Sequence, residues 1–206
     1  MGLREIEAEI GFCKRCHLHK SASVKVVGDY DHTVCPKVIF IGEGPGEEED
    51  KAGRPFVGKS GQILRNELKA FPKTLYCILN SVKCHPAGNA PPTNKQINIC
   101  RRHLKAQLLY FKPQIIVVLG RTAYKAVMQR EMVSMYKQAN TTLTGEHLFK
   151  GKLIVSVKVF PHPAALLYDR PKWQPIWDSA FASLRYELGL GRPKTSMCSG
   201  QRTIFG

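Results

Sequence analysis

The sequence predicts an α/β protein in which a central, mostly parallel four-stranded sheet lies between two layers of helices, a three-layer α/β/α arrangement. Four short apolar runs rich in β-branched residues occur at 37–41, 75–79, 114–119 and 153–159. Each run precedes a segment whose apolar residues have helical spacing, and this alternation is typical of a parallel sheet covered on both faces. With 206 residues, the chain is long enough to form one domain with a full core.

The first half of the chain alternates between regular segments and loops of unusual composition. Residues 3–20 predict a short helix that a Cys-x-x-Cys motif interrupts, and 21–36 are polar up to the first strand. A glycine-rich, acidic loop follows that strand, and a helix is expected at 60–68 with its large apolar residues on one face. The second strand ends at Asn80, and a proline-rich loop follows at 85–92.

The second half adds longer helices around the third and fourth strands. A helix is expected after the proline-rich loop, with Thr93 or Asn94 as its cap and its end near Phe111. The remaining elements are expected as a helix at 121–130, a stretch with little pattern at 131–151, a fourth strand or strand pair at 153–159 and a final amphipathic helix at 173–188. We expect one domain over 1–188 and a basic, poorly ordered tail at 189–206.

The charge balance favours nucleic acid as the partner. Lys and Arg number 31 against 16 Asp and Glu, which gives a formal net charge of +15. A basic excess of this size favours DNA or RNA first and an anionic membrane surface second. The sequence contains no run of about 18 apolar residues that would span a membrane, and its N-terminus lacks the pattern of an export signal. We therefore expect a monomer in the cytoplasm, associated with the nucleoid.

The segment at 42–58 is the most unusual stretch of the chain. It places glycines and a proline directly after the first strand, followed by four consecutive acids from Glu47 to Asp50. A solvated helix N-terminus would also explain the acids, because Asp and Glu favour that position. Two other unusual segments, 80–89 and 160–168, likewise follow strand ends. Because open parallel sheets bind ligands at the carboxyl ends of their strands, we expect the three segments to form one site.

The cysteines indicate a metal centre or reduced thiols rather than disulfides, since seven of them occur in a chain without an export signal. Cys13 and Cys16 form a Cys-x-x-Cys motif, and fifteen residues separate Cys84 from Cys100. Four thiolates hold either a tetrahedral zinc ion or a 4Fe-4S cluster, and the spacing does not distinguish the two. The alternative without a metal is a redox pair with two small buried residues elsewhere.

Several motifs together closely resemble the family 4 uracil-DNA glycosylases. In chain order they are Gly42 to Asp50 with its continuation at 53–59, Asn80-Ser81-Val82-Lys83-Cys84, the proline-rich loop through Asn89, Cys100, and His162-Pro163-Ala164-Ala165-Leu166-Leu167. The resemblance covers roughly residues 10–185. It implies the fold, an activity on uracil in DNA, and a 4Fe-4S cluster rather than zinc on four cysteines, which by position are Cys13, Cys16, Cys84 and Cys100.

The reaction that the resemblance implies is hydrolysis of the bond between uracil and deoxyribose in single- or double-stranded DNA. The base must first be flipped out of the stack into a pocket. Phe56 would then stack on the ring, and the Asn80 amide would pair with N3–H and O4 of uracil, where cytosine has the reversed donor and acceptor pattern. His162, placed between two prolines, would donate a hydrogen bond to the negative charge on the leaving base.

The attacking water requires a carboxylate, because the sugar becomes oxocarbenium-like as the bond breaks. We expect Glu49, supported by Asn89, to hold this water, with Glu43 as the second candidate. Glu43, Gly44 and Pro45 are also expected to contact the base.

Some positions depart from better-known uracil glycosylases, which have an aspartate where this chain has Gly44 and a bulky tyrosine where it has Gly46. The exclusion of thymine must then come from the shape of the pocket around Phe56 and Asn80. Leu166 and Leu167 resemble the apolar wedge that fills the gap left by the flipped base. The basic residues expected to contact phosphates are Arg54, Lys59, Lys83, Arg121 and Arg170.

Other interpretations of the same residues stay open. A core aromatic at Phe56, a turn residue at Asn80 and a structural histidine at His162 would need no ligand. The alternative functions are action on hypoxanthine or xanthine, a non-catalytic DNA-binding domain of a replication protein, and a zinc-dependent nucleotide-binding protein. The three residues together favour catalysis, because a domain that only binds DNA needs none of them.

Overall fold

A computed structural model of the chain describes residues 1–148 and 153–191, and the side chains of 145–147 are outside the description. Five strands form one sheet in the order β2-β1-β3-β5-β4. The first four strands in this order run parallel, and the fifth is antiparallel to its neighbour. The strands are β1 Val38–Gly42, β2 Tyr76–Asn80, β3 Ile115–Leu119, β4 Thr141–Leu148 and β5 Leu153–Phe160.

Helices cover both faces of this sheet. In chain order they are α1 Leu3–Gly11, α2 Leu18–Ser21, α3 Glu47–Ala52, α4 Lys59–Leu68, α5 Asn94–Phe111, α6 Gly120–Met128, α7 Met135–Gln138, α8 Ala165–Tyr168 and α9 Arg170–Glu187. Two short 3₁₀ turns lie at Lys73–Leu75 and Ala87–Asn89. Among the helices of the described part of the chain, none has the length and apolar character needed to cross a membrane.

Alternate residues of the strands pack into two separate cores, which confirms the predicted three layers. On one face Ile39 and Leu79 pack with residues of α5 and α6, which include Leu104, Leu108, Ala123 and Val127. On the other face Phe40 and Ile78 pack with residues of α4 and α9, which include Leu64, Leu68, Trp177 and Phe181. Strands buried on both faces are almost uniformly apolar, so their runs were visible in the sequence.

The sheet has one strand more than the four predicted. The extra strand, β4, and the short helix α7 both fall in 131–151, where the sequence has little pattern. β4 has a polar sequence and a register irregularity between Leu143 and Glu146. It pairs with a single neighbour at the edge of the sheet, and an edge strand need not carry the apolar pattern of a central one.

The register of the strands brings the unusual loops to one edge of the sheet. Gly42 at the end of β1 pairs with Asn80 at the end of β2, and Leu119 at the end of β3 pairs with Phe160 at the end of β5. The loops that follow β1, β2 and β5 therefore begin at the same level of the sheet. Of the tail predicted at 189–206, residues 192–206 lie outside the described part of the chain.

Candidate active site

A cavity of about 350 Å³ opens where these loops meet. The loops after β1, β2 and β5 each contribute to its wall. The predicted site residues that line it are Glu43, Gly44, Pro45, Glu49, Phe56, Asn89 and His162. Ser60, Pro92 and Tyr168 also line it. Pro92 belongs to the proline-rich loop and Tyr168 to the unusual segment 160–168, but none of the three was singled out as a site residue. The structure thus brings seven of the predicted residues to one concave surface, the usual location of a small-molecule site.

Phe56 presents its ring to this cavity from an unusual backbone conformation. Its φ of 56° lies in the left-handed region, which non-glycine residues rarely adopt. The ring centroids of Phe56 and His162 are 5.9 Å apart. A Cβ on Gly42 would lie 2.4 Å from the Phe56 ring, so the glycine allows the ring to lie directly over the end of β1.

Asn80 is buried beside Phe56 rather than exposed on the open wall of the cavity. Its side chain is 2% exposed, and a Cβ on Gly42 would lie 2.6 Å from its Oδ1, so the amide and the Phe56 ring are neighbours over Gly42. Neither Nδ2 nor Oδ1 has a hydrogen-bond partner among the described residues. A buried amide without partners is costly, which indicates a ligand that pairs with it. A base that reaches this amide must enter beside the Phe56 ring.

His162 has a defined tautomer in the wall of the cavity. Its Nδ1 accepts a hydrogen bond from the backbone N–H of Ala164 at 3.2 Å. In the neutral ring, the proton therefore lies on Nε2. Burial lowers the pKa of His162 to about 4, and the Glu49 carboxylate opposes this shift. At neutral pH the side chain is an uncharged donor through Nε2.

Glu49 is held in place by three backbone N–H groups. Its Oε1 accepts from Val57 and Gly58, both at 2.8 Å, and its Oε2 accepts from Gly46 at 3.1 Å. A carboxylate oxygen has two acceptor positions, so Oε2 retains one for a water molecule. A Cβ on Gly46 would lie 2.9 Å from Oε2 and 3.6 Å from Oδ1 of Asn89, so both oxygens are near this glycine. Asn89 is oriented by His85, whose Nε2 lies 3.0 Å from that Oδ1.

Glu43 faces the same cavity but has a different partner. The hydroxyl of Thr122 in α6 donates to its Oε2 at 2.5 Å. This contact joins residues that are 79 positions apart, so no local motif could have indicated Thr122. Glu43 therefore has one carboxylate oxygen engaged by a neutral side chain, whereas Glu49 is held by backbone on both oxygens.

The two candidate wedge residues occupy different environments. Leu166 is 5% exposed and packs in the core with Phe160 and Phe181, so it is unavailable to DNA, and its prediction as a wedge is corrected. Leu167 is 53% exposed, and Tyr168, which lines the cavity, is 88% exposed. The short helix α8 turns one leucine inward and the next outward.

Lys83 is a second correction, because it does not lie on the surface. It is 2% exposed, and its Nζ donates to the backbone carbonyl of Asn80 at 2.9 Å. Burial lowers its pKa to about 8. It therefore cannot contact a phosphate, whereas Lys59, Arg121 and Arg170 are exposed. Arg54 is also exposed and pairs with Asp29 at 3.1 Å.

The four candidate metal ligands line one pocket on a different part of the molecule. Cys13, Cys16, Cys84 and Cys100 border it together with Lys83 and His103. Burial raises the pKa of Cys84 to about 12 and that of Cys100 to about 11, with a contribution from the other cysteines. A cation placed among these thiols would favour their ionised form.

The donor set of this pocket is four thiols, the ligands of both a tetrahedral zinc ion and a 4Fe-4S cluster. Among the side chains that the structure describes, no group of three or more His, Cys, Asp or Glu is arranged to hold a metal ion. Zinc requires its ligands at about 2.3 Å from a common centre. A 4Fe-4S cluster would take one thiolate on each of its four irons, so the four cysteines match its ligand count.

Comparison with known proteins identifies the family. The profile of the uracil DNA glycosylase superfamily matches residues 30–184. A type-4 uracil-DNA glycosylase of Sulfurisphaera tokodaii is 34% identical over 89% of this chain and 83% of its own length. Enzymes of the same name from Thermotoga maritima and Archaeoglobus fulgidus are 37% and 32% identical over 82% and 93% of this chain, and over 85% and 96% of their own lengths.

The profile match includes every residue that lines the cavity, and the matches confirm the resemblance found in the motifs. The chain therefore belongs to the uracil DNA glycosylase superfamily and, within it, to the type-4 uracil-DNA glycosylases.

Proposed function

We propose that this protein removes uracil from DNA by hydrolysis of the N-glycosidic bond, leaving an abasic site for base excision repair. The observation that carries the proposal is the Asn80 amide, which is buried beside Phe56 with neither polar atom paired within the described chain. One donor and one acceptor side by side match N3–H and O4 of uracil. Cytosine has the opposite pattern at these positions, so in the same orientation of the amide it would leave both groups unpaired.

The remaining groups of the cavity complete the reaction. The flipped base stacks on Phe56, and negative charge that develops on its O2 and N1 as the bond breaks receives a hydrogen bond from Nε2 of His162. Because burial keeps this imidazole neutral, it stabilises the charge as a hydrogen-bond donor and not through a full positive charge. The backbone at Glu43, Gly44 and Pro45 lies against the same space.

Glu49 is the better candidate for holding the attacking water, with Asn89 as its support. Its Oε2 has an acceptor position left near Oδ1 of Asn89, and three backbone N–H groups fix its orientation. Its negative charge also stabilises the oxocarbenium-like sugar. Glu43 remains the second candidate, since Thr122 engages only one of its oxygens.

Substitution of the two glutamates by glutamine distinguishes these roles. We expect Glu49→Gln to lower single-turnover excision of uracil about 100-fold, a typical loss for a general base, and Glu43→Gln to lower it less than about 10-fold. Glu48→Gln, an exposed neighbour in the same helix, is the matched control and should be unchanged. A larger loss of activity in Glu43→Gln than in Glu49→Gln would show that Glu43 holds the attacking water.

The DNA contacts follow from the surface around the cavity. Leu167 acts as the wedge, because it is the exposed leucine of the loop that carries His162. Lys59, Arg121 and Arg170 contact phosphates of the strand. The protein acts as a monomer on single- or double-stranded DNA, since a single chain supplies every group that the reaction requires.

Cys13, Cys16, Cys84 and Cys100 hold the 4Fe-4S cluster that the type-4 family implies. The N-terminal segment would supply Cys13 and Cys16, the loop after β2 would supply Cys84 and α5 would supply Cys100, so a bound cluster would tie these three segments together. The chain's own residues carry out the chemistry in the other cavity.

Replacement of one ligand tests this assignment. We expect Cys100→Ser to lose most of the bound iron and sulfide and to melt at lower temperature, because metal binding contributes directly to folding free energy. Cys35→Ser is the matched control, since Cys35 is exposed and does not border the pocket. Wild-type protein that contains zinc and no sulfide would contradict the assignment.

A further inference from the structure

The backbone of Phe56 is held by the guanidinium group of Arg65. The Nε of Arg65 donates to the carbonyl of Phe56 at 2.7 Å, and its Nη2 donates to the carbonyl of Pro55 at 2.7 Å. Two successive carbonyls are thus bound by one planar side chain. A guanidinium has several donors in a fixed plane, so it fixes the orientation of both peptide groups.

This orientation is one that Phe56 would not adopt by itself. A φ of 56° is unfavourable for an aromatic residue, and such conformations persist where the surroundings impose them. Helix α4 packs directly on the strained peptide, because a Cβ on Gly61 would lie 2.2 Å from the carbonyl carbon of Phe56. On the other side, Glu49 accepts from the amides of Val57 and Gly58. The segment is therefore held through its carbonyls by Arg65 and through its amides by Glu49.

Arg65 also connects Phe56 to the strand that carries Asn80. Its Nη2 donates to Oδ2 of Asp29 at 2.6 Å. The backbone of Asp29 pairs with Ile78 in both directions, at 2.8 Å and 2.9 Å, and Ile78 lies in β2 two residues before Asn80. The Phe56 ring and the Asn80 amide are therefore both fixed relative to β2. The amide lies at the end of this strand, and the ring is connected to it through Arg65 and Asp29.

We propose that Arg65, oriented by Asp29, is a positioning residue that sets the stacking ring of Phe56 at the height required for a base paired with Asn80. This inference rests on the proposed uracil excision. Arg65 does not line the cavity, so it acts only through the Phe56 backbone. Loss of the Arg65 side chain leaves the Phe56 ring in place on average but widens the range of orientations that the ring adopts. Small displacements of a group that positions the substrate lower the rate of reaction strongly.

Arg65→Gln tests the proposal, with Lys69→Gln as the matched control for loss of a positive charge. Lys69 is exposed at the C-terminal end of the same helix, α4, and does not line the cavity. We expect Arg65→Gln to lower kcat/KM for uracil excision about 10- to 100-fold and to raise the inhibition constant of free uracil about tenfold. Lys69→Gln should change both less than about twofold, and Arg65→Lys should recover part of the loss.

A double-mutant cycle with Phe56→Ala separates positioning from a general structural role. If Arg65 acts through the ring, then Arg65→Gln should change the excision rate by less than about twofold in the Phe56→Ala background. Binding of uracil-free duplex should change no more than in Lys69→Gln, whereas the melting temperature of Arg65→Gln should fall because three hydrogen bonds are lost. Losses from Arg65→Gln and Phe56→Ala that multiply, or an unchanged inhibition constant for uracil in Arg65→Gln, would overturn the proposal. A wild-type protein without uracil excision would instead overturn the proposed function itself.

Discussion

Replacement of Asn80 by alanine is expected to lower the rate of uracil excision by about two to three orders of magnitude, the usual loss when one preorganised hydrogen-bonding group is removed. The stability of the protein should change little, because neither polar atom of the Asn80 side chain has a partner within the described chain. Loss of a buried amide that does have partners typically costs about 1–3 kcal/mol. We expect the free energy of unfolding of Asn80→Ala to stay within about 1 kcal/mol of the wild-type value. Single-turnover kinetics and thermal unfolding measure the two quantities.

Asn66→Ala is the control for this substitution, since Asn66 is exposed on α4 and does not line the cavity. It should leave both the excision rate and the stability unchanged. If the free energy of unfolding of Asn80→Ala falls by as much as its activation free energy for excision rises, then Asn80 supports the fold and does not recognise the base.

Replacement of His162 by alanine is expected to cost a similar two to three orders of magnitude in excision, through loss of the Nε2 donor. The pH dependence follows from its pKa of about 4. Since the imidazole is already neutral well above that value, its contribution to the rate should be constant from about pH 8 down to about pH 5.5. A wild-type rate that falls as the pH is lowered, with a midpoint near the ordinary histidine pKa, would contradict a neutral donor if the same transition is absent in His162→Ala.

The same pKa predicts how stability depends on pH. Unfolded His162 binds a proton below its ordinary pKa of 6.5, whereas the folded form stays neutral to about pH 4. The unfolded state therefore binds more protons in this interval, and stability falls as the pH is lowered from about 6.5 to about 4. His103, whose pKa burial also lowers to about 4, acts in the same direction. His162→Gln should reduce this slope without abolishing it.

Features encoded locally could be predicted from the sequence. The central strands are short, apolar and buried on both faces, so their positions followed from composition alone. Phe56 and His162 were identified because their motifs follow strand ends, and the parallel register places those ends at one edge. The same argument located Asn80, although its burial behind the open cavity was not foreseen.

Features that depend on distant contacts could not be predicted in this way. The bonds of Arg65 to Asp29 and of Thr122 to Glu43 join residues 36 and 79 positions apart. Lys83 looked like a surface charge, but it lies in the interior where the carbonyl of Asn80 accepts from its ammonium group. The division between Leu166 and Leu167 depends on the phase of a single helical turn, which a sequence of adjacent leucines does not define.

We propose that the buried Asn80 amide selects uracil in DNA for excision. The most direct measurement is single-turnover excision by wild-type protein and Asn80→Ala from matched oligonucleotides that carry one uracil, thymine, hypoxanthine or xanthine, followed by alkali cleavage at abasic sites. We expect the wild-type protein to cleave at uracil alone, and we expect the rate of this cleavage to be lower by about 100-fold or more in Asn80→Ala. Cleavage at a purine lesion at a comparable rate, or undiminished cleavage by Asn80→Ala, would contradict the proposal.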